Sequence, residues 1–127
     1  MKEEYKDYPE RELTEKILAA AFNVLNDLGC GFLEKVYENA MVVELSKLGI
    51  AVAQQAPFKI QYRGAVVGDY QADLVVENRV IVECKATSHP DSAHEAQLMN
   101  YLKATSLKVG LLLNFGRPRL YYRRLVN

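Results

Sequence analysis

The spacing of apolar residues changes near residue 50 of this chain of 127 residues. Before that point, apolar residues recur at helical spacing from Pro9 to Leu28 and from about Leu33 to Leu48. Beyond it the apolar runs are short, β-branched or aromatic, and bounded by turn residues. One helical segment after Pro90 interrupts them, with a helix-capping residue at Asp91 or Ser92. The order α-α-β-β-β-α-β-β predicts a mixed sheet flanked by helices and not an alternating doubly wound fold.

No repeat, low-complexity segment or linker divides the chain, so we predict a single domain over residues 1–127. The run GLLLNFG is typical of a buried central strand. The two cysteines, Cys30 and Cys84, are too few and too far apart for a disulfide framework or a CxxC metal site. His89 and His94 are more typical of helix caps or surface groups than of zinc ligands.

The chain carries no apolar run long enough to span a membrane. Its N-terminus, MKEEYKDYPERE, is too acidic for a signal peptide. We therefore expect a soluble cytoplasmic protein without a membrane partner.

Residues 73–86, DLVVENRVIVECKA, place three charged residues, Asp73, Glu83 and Lys85, in two otherwise apolar runs. The polar ENR between the runs predicts a hairpin with a three-residue turn centred on Asn78. In that register Asp73 lies opposite Glu83, with Cβ atoms about 5 Å apart. A two-residue turn would shift the pairing by one residue and separate the two acids, so the prediction depends on the turn.

Side chains alternate along a strand, so Glu83 and Lys85 share one face while Val82 and Cys84 point into the core. Two opposed carboxylates repel each other unless a cation lies between them. One interpretation is an exposed edge with solvated charges, and the other is a site for a hard divalent ion such as Mg²⁺. In the second, Asp73 and Glu83 bind the ion, while Lys85 orients a water or stabilises charge on phosphorus oxygens.

Two helical segments carry further polar pairs at positions i and i+4. Glu34 and Glu38 flank Tyr37 on the second helix, and Gln97 and Tyr101 are predicted to face one groove from the third. A carboxylate near a helix N-terminus is favourable by about 0.3–1 kcal/mol through the helix dipole alone, which is a sufficient structural reason for Glu34.

Three motifs, in order, make the chain resemble a known family. Gly31-Phe-Leu-Glu34-Lys-Val-Tyr37 resembles the signature of the GxxExxY proteins, a branch of the PD-(D/E)xK nuclease superfamily. The superfamily's D…ExK…QxxxY series is matched by Asp73, then Glu83-Cys84-Lys85, then Gln97-Leu-Met-Asn-Tyr101. The resemblance extends from about Leu13 to Phe115, and the residue before Asp73 is Ala72 where the superfamily's name has proline.

The resemblance implies a restriction-endonuclease-like αβββαβ core, here with an extra N-terminal helix and a C-terminal strand. It also implies hydrolysis of phosphodiester bonds in nucleic acid, with DNA as the expected substrate and Mg²⁺ or Mn²⁺ as cofactor. The implied roles are metal ligands at Glu34, Asp73 and Glu83, a catalytic lysine at Lys85, and auxiliary positions at Tyr37, Gln97 and Tyr101.

Charge is distributed unevenly, although the formal net charge is zero. Residues 96–127 carry +6 with no Asp or Glu, so residues 1–95 carry −6. A basic C-terminal segment is suited to binding a polyanion near a carboxylate site. Ion pairs between this segment and the acidic residues of 1–95, within the chain or across a dimer, explain the uneven charge equally well. The candidate nucleic-acid contacts are Lys103, Arg117, Arg119, Arg123 and Arg124. In the structural alternative, slightly favoured, Leu120, Tyr122 and Val126 form one packed face of an edge strand.

Three hypotheses follow for function. The leading one is a metal-dependent nuclease acting on DNA. The second is a non-catalytic nucleic-acid- or protein-binding module that retains the fold, because membership of a fold family does not demonstrate cleavage. The third is a self-associating structural protein whose edge strand pairs with a second copy. A homodimer is compatible with all three.

Overall fold

The computed structural model describes residues 8–127. The acidic N-terminal residues 1–7, which bear on the signal-peptide prediction, lie outside this range. The elements, in chain order, are α1 (Arg11–Leu28), α2 (Glu34–Lys47), β1 (Val52–Tyr62), β2 (Ala65–Val76), β3 (Val80–Lys85), α3 (Ser92–Thr105), β4 (Val109–Asn114) and β5 (Tyr121–Val126). This order confirms the predicted mixed α+β fold. None of the described helices is both long and apolar enough to cross a membrane.

The five strands form one sheet in the order β1-β2-β3-β4-β5. Neighbouring strands are antiparallel except for β3 and β4, which are parallel. Parallel neighbours need a crossover connection, and α3 provides it. All six residues of β4 are buried, which confirms the buried strand predicted from GLLLNFG.

Helices α1 and α2 cover one face of the sheet and enclose the larger core. Along α1 the buried residues Leu13, Ile17, Ala21 and Val24 recur at helical spacing. Gly29 follows the helix at a φ of 73°, and its N–H donates to the carbonyl of Leu25. From the sheet, Val82 and Cys84 belong to this core, as the strand alternation predicts.

Helix α3 covers the opposite face with a smaller core. Asp91 caps this helix by accepting from the N–H of Ala93 at 2.9 Å. Leu98 and Leu102 pack there with Ile81 of β3. A Cβ at Gly110 would lie 2.9 Å from the side chain of Leu98, so glycine allows α3 to approach the sheet closely.

Strands β1 and β2 extend well beyond their neighbour β3. They pair from Val52↔Val76 to Tyr62↔Ala65, whereas β2 pairs with β3 only over Leu74–Val76. The outer part of this hairpin, residues 57–71, is called the arm below. Large apolar residues on the arm are exposed: Tyr62, Val66, Val67 and Tyr70.

Strand β5 is the sheet edge opposite the arm, as an edge strand was predicted there. The single packed face expected from Leu120, Tyr122 and Val126 is wrong for two of the three residues. Leu120 is buried, but Tyr122 and Val126 are each 43% exposed. Tyr122 instead contacts the exposed ring of Phe22 edge-on, at 6.3 Å between centroids.

Candidate active site

The turn between β2 and β3 sets the geometry of the candidate site. Glu77 and Asn78 have φ values of 54° and 56°, and the N–H of Arg79 donates to the carbonyl of Val76 at 2.9 Å. The flanking pairs are Val76↔Val80, Val75↔Ile81 and Leu74↔Val82. The predicted three-residue turn and register are therefore confirmed over these three pairs.

Asp73 and Glu83 lie just past the last of these pairs. The expected ladder pair between them is absent, because their side chains replace backbone carbonyls as hydrogen-bond acceptors. The N–H of Asp73 donates to Oε2 of Glu83 at 2.8 Å, and the N–H of Cys84 donates to Oδ2 of Asp73 at 2.9 Å. Each carboxylate is thus held by the backbone of the opposite strand.

The two carboxylates lie in a poorly solvated position. Glu83 is 4% exposed, and burial, followed by the negative charge of Asp73, raises its pKa to about 8. Burial also raises the pKa of Asp73, and the hydrogen bond from Cys84 opposes that shift only in part. A cation beside the pair would favour the ionised form of both acids.

Lys85 follows Glu83 on the same face of β3 and is partly buried. Its positive charge lowers the pKa values of Glu34, Asp73 and Glu83, so it lies within electrostatic range of all three. Within residues 8–127, Lys85 makes no ion pair shorter than 4.0 Å. Its ammonium group is therefore available to a bound anion.

Glu34 is the first residue of α2 and is largely exposed. Partial desolvation, and then the charges of Asp73 and Glu38, raise its pKa, while Lys85 and His94 lower it. Across the described residues, no three His, Cys, Asp or Glu side chains converge closely enough to hold a metal ion. The predicted ligands Glu34, Asp73 and Glu83 lie within electrostatic range of one another, but they do not form a closed ligand set.

Glu38 lies beside the site, although it was not among the predicted site residues. It is 2% exposed and accepts from Lys35 at 3.0 Å, Gln54 at 2.7 Å and Gln55 at 2.9 Å. Although burial opposes it, these hydrogen bonds lower the pKa of Glu38. The i+4 spacing from Glu34 was the available signal, since it places both acids on one side of α2.

Gln55 connects Glu38 to the candidate site, and it too was missed. Its Nε2 donates to Glu38 and lies 3.4 Å from Oδ1 of Asp73. Its φ of 51° is in the left-handed region, which is uncommon for a residue inside a strand. No sequence signal marks this conformation, because glutamine has no preference for it.

Tyr37 has a packing role. It is fully buried and stacks on Phe115 at 4.8 Å between ring centroids. Its hydroxyl donates to the carbonyl of Gly29 at 2.6 Å and accepts from the N–H of Phe32 at 3.2 Å. The tyrosine of the GxxExxY signature thereby fixes the loop between α1 and α2, which positions Glu34.

Gln97 and Tyr101 face one groove, as their spacing predicts. The groove lies between α3 and the arm and has a volume of about 710 Å³. Tyr101 is mostly buried, and burial, followed by the charge of Glu83, raises its pKa. Gln97 is exposed.

Two of the five predicted basic contacts have partners within the chain. Arg123 lies 3.6 Å from Glu95, and Arg124 donates to the carbonyl of Pro9 and stacks over the ring of Tyr8 at 3.8 Å. Pairing within the chain therefore accounts for these two. The other three are exposed, Lys103 on the wall of the groove and Arg117 and Arg119 in the β4–β5 loop.

The mixed sheet, the flanking helices and the carboxylate–lysine cluster on the β2–β3 hairpin are the features of a nuclease-type core. A family model described as the PD-(D/E)XK nuclease superfamily matches residues 11–125. The chain belongs to that superfamily. No curated protein and no solved structure matches it at a significant level. Membership of the GxxExxY branch stays a prediction from the motif at Gly31–Tyr37.

Proposed function

We propose that the protein is a metal-dependent nuclease that hydrolyses phosphodiester bonds of DNA, with Asp73, Glu83 and Lys85 as its catalytic residues. The observation that carries this proposal is the pair of carboxylates held by opposite backbones. Glu83 is buried beside Asp73 and accepts a single hydrogen bond, from the N–H of Asp73. Lys85 lies within electrostatic range of Glu83 and has no ion-pair partner in the described chain. Perturbed carboxyls beside an unpaired lysine are typical of catalytic sites.

The donor set fits a hard divalent cation. All its donors are oxygens, and within residues 8–127 the second oxygen of Glu83, Oε1, accepts no hydrogen bond. Mg²⁺ is commonly held by one or two carboxylates, with waters and substrate phosphate completing its shell. Asp73 and Glu83 would hold such an ion, with the exposed Glu34 within electrostatic range of both, so a closed set of three side chains is not required.

A divalent ion at this position would supply Lewis-acid polarisation of a phosphoryl oxygen and would lower the pKa of a bound water. The chain's own residues do the rest. Lys85 orients the attacking water or stabilises the charge that develops on the phosphoryl oxygens. Gln97 and Tyr101, at the groove, position the phosphate backbone.

The second candidate is a non-catalytic binding module. It is favoured by the finding that no three potential ligands converge among the described residues. Calorimetric titration with Mg²⁺ and Mn²⁺ separates the two. Absence of binding at millimolar metal, with DNA binding intact, supports the module and argues against the nuclease.

The decisive experiment is cleavage of single- and double-stranded DNA with Mg²⁺ or Mn²⁺. We expect Lys85→Ala and Asp73→Ala each to reduce the rate by about 100-fold or more. The matched controls are Lys59→Ala and Asp69→Ala, which remove an exposed ion pair of 2.6 Å on the arm and should leave the rate unchanged. Equal trace activity in wild type and all four variants would mean that the activity is a contaminant, and the proposal would fail.

A further inference from the structure

The groove between α3 and the arm has the size of a small-molecule site, at about 710 Å³. Three of its lining residues on α3 are alanines, whose small side chains leave space in the groove: Ala93, Ala96 and Ala104. Gln97 and Asn100 add amide groups that both donate and accept hydrogen bonds. The remaining lining residues are Ile60, Tyr70, Tyr101 and Lys103.

An aromatic cluster joins the arm to α3 beside this groove. Tyr101 lies 4.9 Å from Phe58 and 5.8 Å from Tyr70, measured between ring centroids. Phe58 and Tyr101 are partly or fully buried, but Tyr70 is 47% exposed. The cluster therefore anchors the arm to α3 while leaving much of one tyrosine ring open to a ligand.

The groove lies near the candidate active site, because Tyr101 in its lining is within electrostatic range of Glu83 and Asp73. Tyr101 belongs to the same small core as Ala72 and Ile81. Ala72 directly precedes Asp73, and Ile81 precedes Glu83 by two residues on the same face of β3. A DNA strand whose phosphate lies at Asp73 and Glu83 would therefore have an adjoining nucleotide near Tyr101.

We propose that the groove binds one unpaired nucleotide of a DNA strand, with its base stacked on Tyr70 and its phosphate held by Lys103. This inference rests on the proposed function, since the candidate site supplies the reason for nucleic acid to lie here. The amides of Gln97 and Asn100 can contact the base edge. The specificity that follows is for single-stranded or frayed DNA.

The chemistry of the groove selects an unpaired base. A base offers its face to a tyrosine ring only when it has left the stack of a duplex. Stacking of this kind contributes about 1–3 kcal/mol per base and tolerates any sequence. In a duplex the bases stay stacked, so no base face is available to Tyr70 and the aromatic ring adds nothing to duplex binding.

The test is fluorescence anisotropy of a labelled 12-nucleotide single strand and of its blunt duplex, with the full chain in EDTA so that cleavage does not interfere. We expect Tyr70→Ala to weaken single-strand binding about 10-fold and to leave duplex binding unchanged. Tyr70→Phe, which keeps the ring, should bind within about twofold of wild type. Tyr62→Ala, an exposed tyrosine of the arm outside the groove, is the matched control.

Two further variants keep the test decisive if Tyr70→Ala loosens the arm. Ala96→Leu fills the groove from an exposed helix position and should weaken single-strand binding without changing the melting temperature. Lys103→Ala should reduce the salt dependence of binding by about 0.7 in log–log slope, whereas the control Lys108→Ala should not.

The proposal is overturned if Tyr70→Ala and Tyr62→Ala have equal effects, if both DNA forms weaken equally, or if wild type binds no single strand. Its failure is separable from failure of the nuclease proposal, which is read by cleavage in Mg²⁺. A protein that cleaves DNA but shows no dependence on Tyr70 retains the first proposal and loses this one. The reverse pattern leaves a single-strand binding module.

Discussion

Glu38 and Glu83 are both buried, at 2% and 4% exposed, yet their surroundings shift their pKa values in opposite directions. Glu38 accepts hydrogen bonds from Lys35, Gln54 and Gln55, and its pKa is lowered. Glu83 accepts only from the N–H of Asp73 in the described chain, and its pKa is raised to about 8.

This difference distinguishes a carboxylate whose charge is stabilised by hydrogen bonds, Glu38, from one whose charge is not compensated, Glu83. A buried charge is tolerated when hydrogen-bond donors replace its lost hydration, as they do at Glu38. At Glu83 a single N–H does so, and the charge with the largest effect on its pKa, that of Asp73, has the same sign. Such an arrangement persists where function requires it, and a bound cation is the simplest way to compensate it. The variants below test the comparison, from the largest expected effect to the smallest.

Glu38→Ala should have the largest effect on stability. It leaves Gln54 and Gln55 without their shared acceptor and removes two hydrogen bonds between α2 and β1. We expect a loss of about 3 kcal/mol in the free energy of unfolding, measured by urea denaturation at pH 7. The control is Glu44→Ala on the same helix, whose contact with Asn23 at 3.4 Å is exposed and should contribute less than about 0.5 kcal/mol. Equal losses in the free energy of unfolding for the two variants would contradict a structural role for Glu38.

Glu83→Gln should increase the free energy of unfolding, whereas Glu38→Ala decreases it. Because the folded-state pKa of about 8 lies above the ordinary 4.5, the protonated carboxyl favours the fold, and that stability is lost as pH rises from 4.5 towards 8. Glutamine is neutral at every pH and keeps an acceptor for the N–H of Asp73. The variant should therefore be more stable than wild type at pH 8.5 and almost equal to it at pH 4.5.

The matched comparison for this prediction is Glu38→Gln. Its carboxylate is stabilised in the folded state, so neutralising it should destabilise the protein at pH 8.5. Urea denaturation at both pH values reads both variants. If both variants lose stability at pH 8.5, the contrast between the two acids is wrong.

Added Mg²⁺ should stabilise the protein through Asp73 and Glu83 and not through Glu38. At pH 8.5, Mg²⁺ at ten times its dissociation constant should stabilise wild type by about 1.4 kcal/mol, because it binds the folded state alone. Asp73→Asn and Glu83→Gln should lose this response, whereas Glu38→Gln should keep it. Thermal denaturation with NaCl at matched ionic strength controls for screening. A response that survives in Asp73→Asn would place the ion elsewhere.

The smallest effect is expected at Gln55, which donates to Glu38 and lies 3.4 Å from Oδ1 of Asp73. Gln55→Ala should cost about 1 kcal/mol in urea denaturation through its hydrogen bond to Glu38. It should also raise the pKa of Asp73 further, because the hydrogen bond from Gln55 lowers that pKa. Gln54→Ala, which bonds Glu38 but not Asp73, is the control, and carboxyl NMR titration of Asp73 distinguishes them. Identical Asp73 titrations in the two variants would contradict the bridging role.

Local sequence signals predicted much of the fold. The helical periodicity before residue 50, the capping residue Asp91 and the three-residue turn at Asn78 each depend on a few neighbouring residues. The hairpin register followed from the turn alone, and it placed Asp73 and Glu83 near each other. Groove positions Gln97 and Tyr101 followed from helical spacing.

Contacts between distant segments were not predictable in this way. Glu38 meets Gln55 only because β1 adopts a left-handed φ at that residue, for which the sequence offers no sign. Arg124 donates to the carbonyl of Pro9, 115 positions away in the sequence, and its place in the basic tail gives no sign of this contact. Packing of segments far apart in sequence decides such partners, and composition does not.

The tight turn between β2 and β3 has a consequence for the order of folding. Residues 74 and 82 are only eight positions apart, so this hairpin can close on the microsecond scale, before the parallel strand β4 arrives by its crossover. Asp73 and Glu83 are then brought together early, while water still surrounds them. Their repulsion is weak in that environment and grows only when α3 and β4 cover the strand. The late steps of folding, and not the first, therefore carry the electrostatic cost of the site.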